Sequence, residues 1–187
     1  VLENSEVAVE GVSVNTTRLG FCRILRKMGG HVQCEEVFDA PLSEQPEPAG
    51  RLVARSSTLR PVGLTEEEVT DAIDEIPLIA AIASVVDGET VIRGAGELRR
   101  KESDRIAATV TLLRAFGADV EELEDGLCIR GTARLRGARV DACGDHRIAM
   151  CAAVLAARAE GPSELSGAAW VRISYPDFFE DLARIAR

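Results

Sequence analysis

The sequence predicts an α/β lobe in which helices pack together at the centre and sheets lie outside. Three observations predict it. Strand-like and helix-like segments alternate along the 187 residues. Two helical segments, 76–86 and 148–157, carry almost no polar residue, so neither has a face to offer water. The order buried helix, turn, strand, polar elbow, second helix occurs over 74–117 and again over 145–187. Alternation usually means a parallel sheet between helix layers, but each helix there keeps a wet face. Helices without one belong in the middle, where small Ala side chains permit close contact.

VAVEGVSV (7–14) alternates apolar and polar residues, as a half-buried strand does. RLGFCRILRKMGG (18–30) places Leu19, Cys22, Ile24, Leu25 and Met28 near helical spacing and stops at Gly29-Gly30. HVQCEEV (31–37) returns as a strand, and this helix and strand read as the late half of a third copy of the repeat. Pro41, Pro46, Pro48 and Gly50 make 39–50 a loop, and RLVAR (51–55) is a short strand. Thr65 with Glu68 three residues later forms a capping box that opens a helix. From Ile76 to Val86 only Ser84 is polar; the length and the Ala content favour helix over strand. VIRG (91–94) is a strand, and 103–117 is a helix with Ile106, Val110 and Leu113 on one face. ADVEEL and LCIRG flank Asp125-Gly126, a hairpin signal. Ile148 to Ala157 is apolar throughout, SELSG is a strand, and 175–187 is an amphipathic helix entered through Pro176.

The length fits one domain, and a composition 46% apolar but only 4% aromatic implies a core of Ala, Val, Ile and Leu. A net charge of -9 argues against nucleic-acid coating, which needs a basic stripe, but not against a small anion in a local pocket. No apolar run reaches the ~18 residues of a membrane span. The start, VLENSEVAVEG, shows no signal-peptide pattern and lacks Met, as a piece of a longer chain would. Five cysteines, an odd number without CxxC spacing, read as reduced core residues in a cytoplasmic protein.

The chemistry concentrates at three helix entrances. Six of the seven residues Arg99 to Arg105 are charged: Arg99, Arg100, Lys101, Glu102, Asp104 and Arg105. If Lys101 begins the helix, Lys101 and Arg105 share a face. A helix start already carries partial positive charge, so stability alone would place acids there and omit most of the bases. A bound phosphate or carboxylate reverses that balance. The plain alternative is a solvated, salt-bridged turn. The second entrance is Gly144-Asp145-His146-Arg147, where Arg147 leads directly into the apolar run. His146 by itself reads as a hydrogen-bonded structural histidine. The third is Asp74-Glu75, which alone is an ordinary acidic cap worth ~0.3–1 kcal/mol per residue. Asp74 and Asp145 occupy equivalent places in the repeat, so all three entrances are expected to face one cleft. Cations for anionic groups and carboxylates able to move protons suit transfer between phosphorylated or carboxylated small molecules.

LRRKESDRI, GDHRIAM and ISYPDFFEDL, with IDEIPLIAAIA upstream, resemble the 5-enolpyruvylshikimate-3-phosphate synthase (3-phosphoshikimate 1-carboxyvinyltransferase) family from about Val12 to the end. The resemblance implies an inside-out lobe of repeated βαβαββ units with buried parallel helices, an enolpyruvyl transferase-like fold. Residues 1–187 would be the C-terminal lobe of a protein more than twice as long, whose absent N-terminal lobe is the partner that completes both substrate sites. The implied reaction transfers the enolpyruvyl group of phosphoenolpyruvate to the 5-hydroxyl of shikimate 3-phosphate, in the pocket where glyphosate binds members of the family. By motif, Asp74 contacts the hydroxyl as a candidate base, Lys101 binds the shikimate side, and Glu102 moves the proton at the enolpyruvyl carbon. Arg105 and Arg147 hold the phosphoenolpyruvate phosphate and carboxylate, with Glu102 beside them. Arg99 and Arg100 only shape the field. No metal or organic cofactor, nucleic acid or membrane is expected. Some members carry a lysine where this chain has Ile173-Ser174, so no substrate contact is assigned there. Two rival readings are a lobe of the sister transferase acting on UDP-N-acetylglucosamine, against which KESDR argues, and a non-catalytic ligand-binding half. The fragment alone is expected to turn over poorly.

Overall fold

The computed structural model describes residues 4–38, 48–132 and 134–185. The first strand, β1 (Glu6–Ser13), leads through a 3-10 turn to α1 (Gly20–Lys27), then β2 (His31–Phe38) and β3 (Ala49–Arg55). α1 buries Gly20, Cys22 and Ile24 and is ended by Gly29, whose φ of +92° is open to glycine at no steric cost. The expected loop over 39–50 lies mostly outside the described residues; Ala49 and Gly50 already belong to β3. α2 (Glu66–Asp71) opens on the anticipated box: Thr65 accepts from the Glu68 amide and the Glu68 carboxylate accepts from the Thr65 amide.

Next come α3 (Ile76–Ala83), β4 (Glu89–Ile92), a 3-10 helix over Gly96–Arg100, α4 (Arg105–Ala115) and the hairpin β5 (Asp119–Leu123)–β6 (Gly126–Arg130). The two-residue hairpin loop is Glu124-Asp125, one position earlier than expected. Gly126 is required by close approach, since a Cβ there would sit 1.9 Å from the Ile92 carbonyl oxygen. β7 (Arg139–Asp141), α5 (His146–Ala156), β8 (Glu164–Ser166), a 3-10 stretch over Ala168–Ile173 and α6 (Phe178–Ile185) complete the chain.

The repeat is visible in the sheets. β1, α1, β2 and β3 build an antiparallel sheet of order β1-β3-β2; β4, α4, β5 and β6 build another of order β4-β6-β5. The middle copy also has an initial short strand, because Gly63 bridges Val91 of β4 in parallel. β7 pairs with β8 in parallel in the same way. The middle copy therefore runs β-α-β-α-β-β, the first copy supplies the late half, and the last copy supplies the early half. Among the described residues β8 has no strand on its other edge. In the segment that follows β8, Trp170, Ile173, Tyr175, Phe179 and Ile185 are exposed.

α3, α4 and α5 pack against one another inside a single core. Ile76, Ile79, Ile106, Leu113 and Ile148 are almost completely enclosed. Small side chains bring α3 and α5 close enough for the Cys151 thiol to meet the Pro77 carbonyl at 3.3 Å. Buried Ser84, the one polar residue of 76–86, donates to the Ala81 carbonyl at 2.7 Å. The three helices run the same way. Contacts between their N-terminal ends are described below, while Thr132 and Arg136 meet the opposite ends of α3 and α4. There the Thr132 and Arg136 amides donate to Ser84 and Phe116 carbonyls at 2.8 and 3.0 Å.

Candidate active site

Each central helix begins with an acidic residue in its turn or cap. A 3-10 turn over Ile73–Glu75 delivers Asp74 and Glu75 to the start of α3. Asp104 caps α4 by accepting from the Ala107 amide at 3.0 Å, and Asp145 caps α5 by accepting from the Arg147 amide at 2.9 Å. Because the helices are parallel, these three entrances lie at one end of the lobe, and their partial positive charges add there.

Arg105 is the hub, with its side chain 1% exposed. Its Nε and Nη2 donate to the two Asp145 carboxylate oxygens at 2.8 and 3.3 Å. Nη2 also meets Glu102 Oε2 at 2.5 Å, and Nη1 meets Asp74 Oδ1 at 3.0 Å. Arg147 reaches the same acid from α5: Nη2 lies 3.2 Å from Asp74 Oδ2, and Nη1 lies 3.1 Å from the Asp74 carbonyl and 3.3 Å from Glu75 Oε1. Lys101 Nζ is 3.9 Å from Asp74 Oδ1 and 2.5 Å from Glu97 Oε1. All five residues singled out in the sequence therefore belong to one connected network. Burial depresses the Arg105 guanidinium, but the bond and charge of Asp145 and the charges of Glu102 and Asp74 outweigh it and leave it above its usual value. Burial raises the Asp145 carboxyl, yet bonds from Arg105 and from the Arg147 amide hold it below the usual carboxylate range.

Three expectations are corrected. Residues 101–104 are not helical: Lys101 is extended, Asp104 is the cap and α4 starts at Arg105, so Lys101 and Arg105 do not share a helical face. They meet at Asp74 through the fold of the elbow instead. Arg99 does more than shape a field; it ties the elbow to the β5–β6 hairpin through Asp104, Glu122 and the carbonyls of Leu123 and Glu124. The side chain of half-buried His146, the first residue of α5, makes no hydrogen bond among the described residues. Ile173 is 71% exposed, with no contact to the network.

Sequence reasoning did not count Asp145 or Ser103 among the site residues. Ser103 donates to Asp145 Oδ2 at 3.0 Å. The signal for Asp145 was its position one residue before a buried helix; complete burial cannot be read from that.

Among the described residues no cluster of three or more His, Cys, Asp or Glu side chains is placed to hold a metal ion. A hollow of about 430 Å³ lined by Gly117, Thr132, Arg134, Arg136 and Glu160 is at the opposite end. Helix carbonyl ends gather there, so an anion is favoured at the N-terminal face rather than in this cavity.

A parallel bundle of apolar helices, walled by sheets and opening on a shared acid-and-base face, defines a lobe of the enolpyruvyl-transferase fold. The enolpyruvyl transferase NikO from Streptomyces tendae shares that fold with a TM-score of 0.74 at 21% identity, over 97% of this chain and 38% of its own. The chain belongs to the EPSP synthase (3-phosphoshikimate 1-carboxyvinyltransferase) family, whose model matches residues 1–182. EPSP synthase from Acinetobacter baumannii superposes with a TM-score of 0.88 at 34% identity, covering 98% of this chain and 42% of that one. The 3-phosphoshikimate 1-carboxyvinyltransferase of Roseiflexus is 44% identical over 98% of this chain and 41% of its own length. That of Leuconostoc citreum is 40% identical over 99% of this chain and 43% of its own. The chain thus spans about two fifths of the relatives it matches.

Proposed function

We propose that this chain is the catalytic C-terminal lobe of a two-lobed 3-phosphoshikimate 1-carboxyvinyltransferase that works in the cytoplasm. One observation carries the reading: Asp74, Lys101, Glu102, Arg105 and Arg147 form one network at the N-terminal ends of three parallel helices. Such an end favours phosphate and carboxylate groups, and the carboxylates among the cations are placed to move protons.

In the proposed reaction the 5-hydroxyl oxygen of shikimate 3-phosphate bonds to C2 of phosphoenolpyruvate while C3 gains a proton. The hydroxyl loses its proton to Asp74, and Glu102 delivers the proton to C3. The C2–O bond to phosphate then breaks, C3 gives a proton back, and phosphate leaves. Lys101 holds the shikimate side. Arg147, 30% exposed and linked to half-open Asp74 and Glu75, is the cation most free to exchange its carboxylate partners for those of phosphoenolpyruvate. Arg105 already makes four bonds to carboxylates, so it meets the incoming anion only as Asp74 or Glu102 turns toward substrate. The other lobe completes the pocket and covers the open edge of β8 and the apolar side chains of the segment that follows it.

The test is phosphate release and product formation from the two substrates by this chain, alone and within a full-length two-lobed protein. Turnover by the two-lobed form only is expected. In that form Glu102→Gln and Asp74→Asn should each lower kcat by about 10²–10⁴. Unchanged turnover by either variant removes that residue from the mechanism.

A further inference from the structure

We propose that Asp145 is the positioning residue of the site, fixing both the cation that holds the substrate anion and the loop that carries Lys101 and Glu102. This rests on the function proposed above. The side chain of Asp145 is 0% exposed, so substrate cannot touch it. It nevertheless holds three parts of the network. It accepts from Arg105 Nε at 2.8 Å, from Ser103 Oγ at 3.0 Å and from the Arg147 amide at 2.9 Å. The first two partners belong to the middle copy of the repeat and the third to the last copy. One carboxylate therefore sets the spacing between the elbow 101–105 and the start of α5.

Its charge has a second consequence. A buried guanidinium needs a permanent counter-ion. Asp145 supplies it, while the other acids facing Arg105 are Glu102 from its own elbow and Asp74 from the start of α3, both partly exposed. Lys101 and Arg147 also face Asp74, and Glu75 and Glu97 face those two cations in turn. With Asp145 neutralising Arg105, Asp74 and Glu102 stay free to turn toward substrate. Without it, the uncompensated cation draws both acids inward and favours their ionised forms.

The experiment compares Asp145→Asn and Ser103→Ala with wild type in the full-length two-lobed protein. Asp145→Asn keeps the shape and removes the charge. It should raise the KM for phosphoenolpyruvate about tenfold or more, as a misplaced cation does. It should also move the pH–rate profile toward lower pH. Ser103→Ala, which cuts one bond and leaves the carboxylate, should raise the same KM about two- to tenfold without moving the profile. A helix cap with no positioning role would lower thermal stability and leave KM and the profile unchanged, and that result overturns the assignment. If Asp145→Asn does not fold, an unaltered KM in Ser103→Ala overturns it instead. Wild-type turnover, measured first, tests the proposed function separately. Should it be absent, phosphoenolpyruvate titration of the 187-residue chain reads the assignment, with the same fold losses expected in both variants.

Discussion

Replacing Arg105 by Met isolates the electrostatic centre of this lobe. The change keeps an unbranched apolar stem and removes every donor of the guanidinium. Asp145 then keeps bonds from Ser103 and from the Arg147 amide but loses the one cation that pairs with it among the described residues, while remaining enclosed. Removing one partner of a buried ion pair costs about 3–5 kcal/mol, because the other charge is left uncompensated. The contacts to Asp74 and Glu102, 38% and 50% exposed, add little since water replaces them. For a chain of this size, about 2–4 °C per kcal/mol puts the fall in Tm near 10 °C. Neutralising the survivor relieves the strain, so Arg105→Met with Asp145→Asn should lie above Arg105→Met alone. Urea unfolding of the four proteins gives the coupling energy, expected at about 2–3 kcal/mol. The sign with pH is also fixed. The Asp145 carboxyl titrates below its ordinary range when paired, so in wild type its contribution is complete above about pH 4 and is lost as pH falls further. In Arg105→Met the buried acid has no cation and protonates at higher pH, so the deficit narrows on acidification. A coupling below about 1 kcal/mol, or a deficit independent of pH, would refute the reasoning.

Three further outcomes follow from the same structure. Cys34 and Cys143 are exposed and should react quickly with a thiol reagent, while Cys22, Cys128 and Cys151 should need denaturant. Cys151 is the most inert, because burial pushes its thiol up to about 12; rapid labelling of more than two thiols would contradict the burial assigned here. Thr65→Ala removes half of the α2 capping box and should cost about 0.5–2 kcal/mol in urea unfolding. Gly126→Ala forces a methyl group onto the Ile92 carbonyl and should destabilise by about 1–3 kcal/mol, read in the same way.

The interior was legible because α3 and α5 carry almost no polar residue; α3 is buried on nearly every side as that pattern implies, whereas α5 keeps an outer face on which Val154 is exposed. The repeat could be read for the same reason, since two such helices stand in equivalent places. β7 was not legible: three residues, Arg139–Asp141, are too few to display alternation, and pairing with β8 is a tertiary fact. The start of α4 was placed too early because Lys and Glu favour helix as well as their neighbours do. Asp104 wins locally, through a side-chain bond that stops the helix from extending upstream. Lys101, Glu102, Arg105, Asp74 and Arg147 could be chosen by motif; they meet through Asp74 and Arg105, but the buried acid that holds Arg105 in place, Asp145, could not be chosen so. The sequence marks that residue as a cap and gives no sign that the cap is enclosed by two other chain segments.

The central claim is that the N-terminal ends of α3, α4 and α5 form the anion site. Titrating the isotope-labelled chain with phosphoenolpyruvate and following its amide and arginine side-chain signals by NMR tests it most directly. The expected result is shifts concentrated at Asp74, Lys101, Arg105, His146 and Arg147. Shifts concentrated instead at Arg134, Arg136 and Glu160, around the cavity at the far end of the helices, would contradict it.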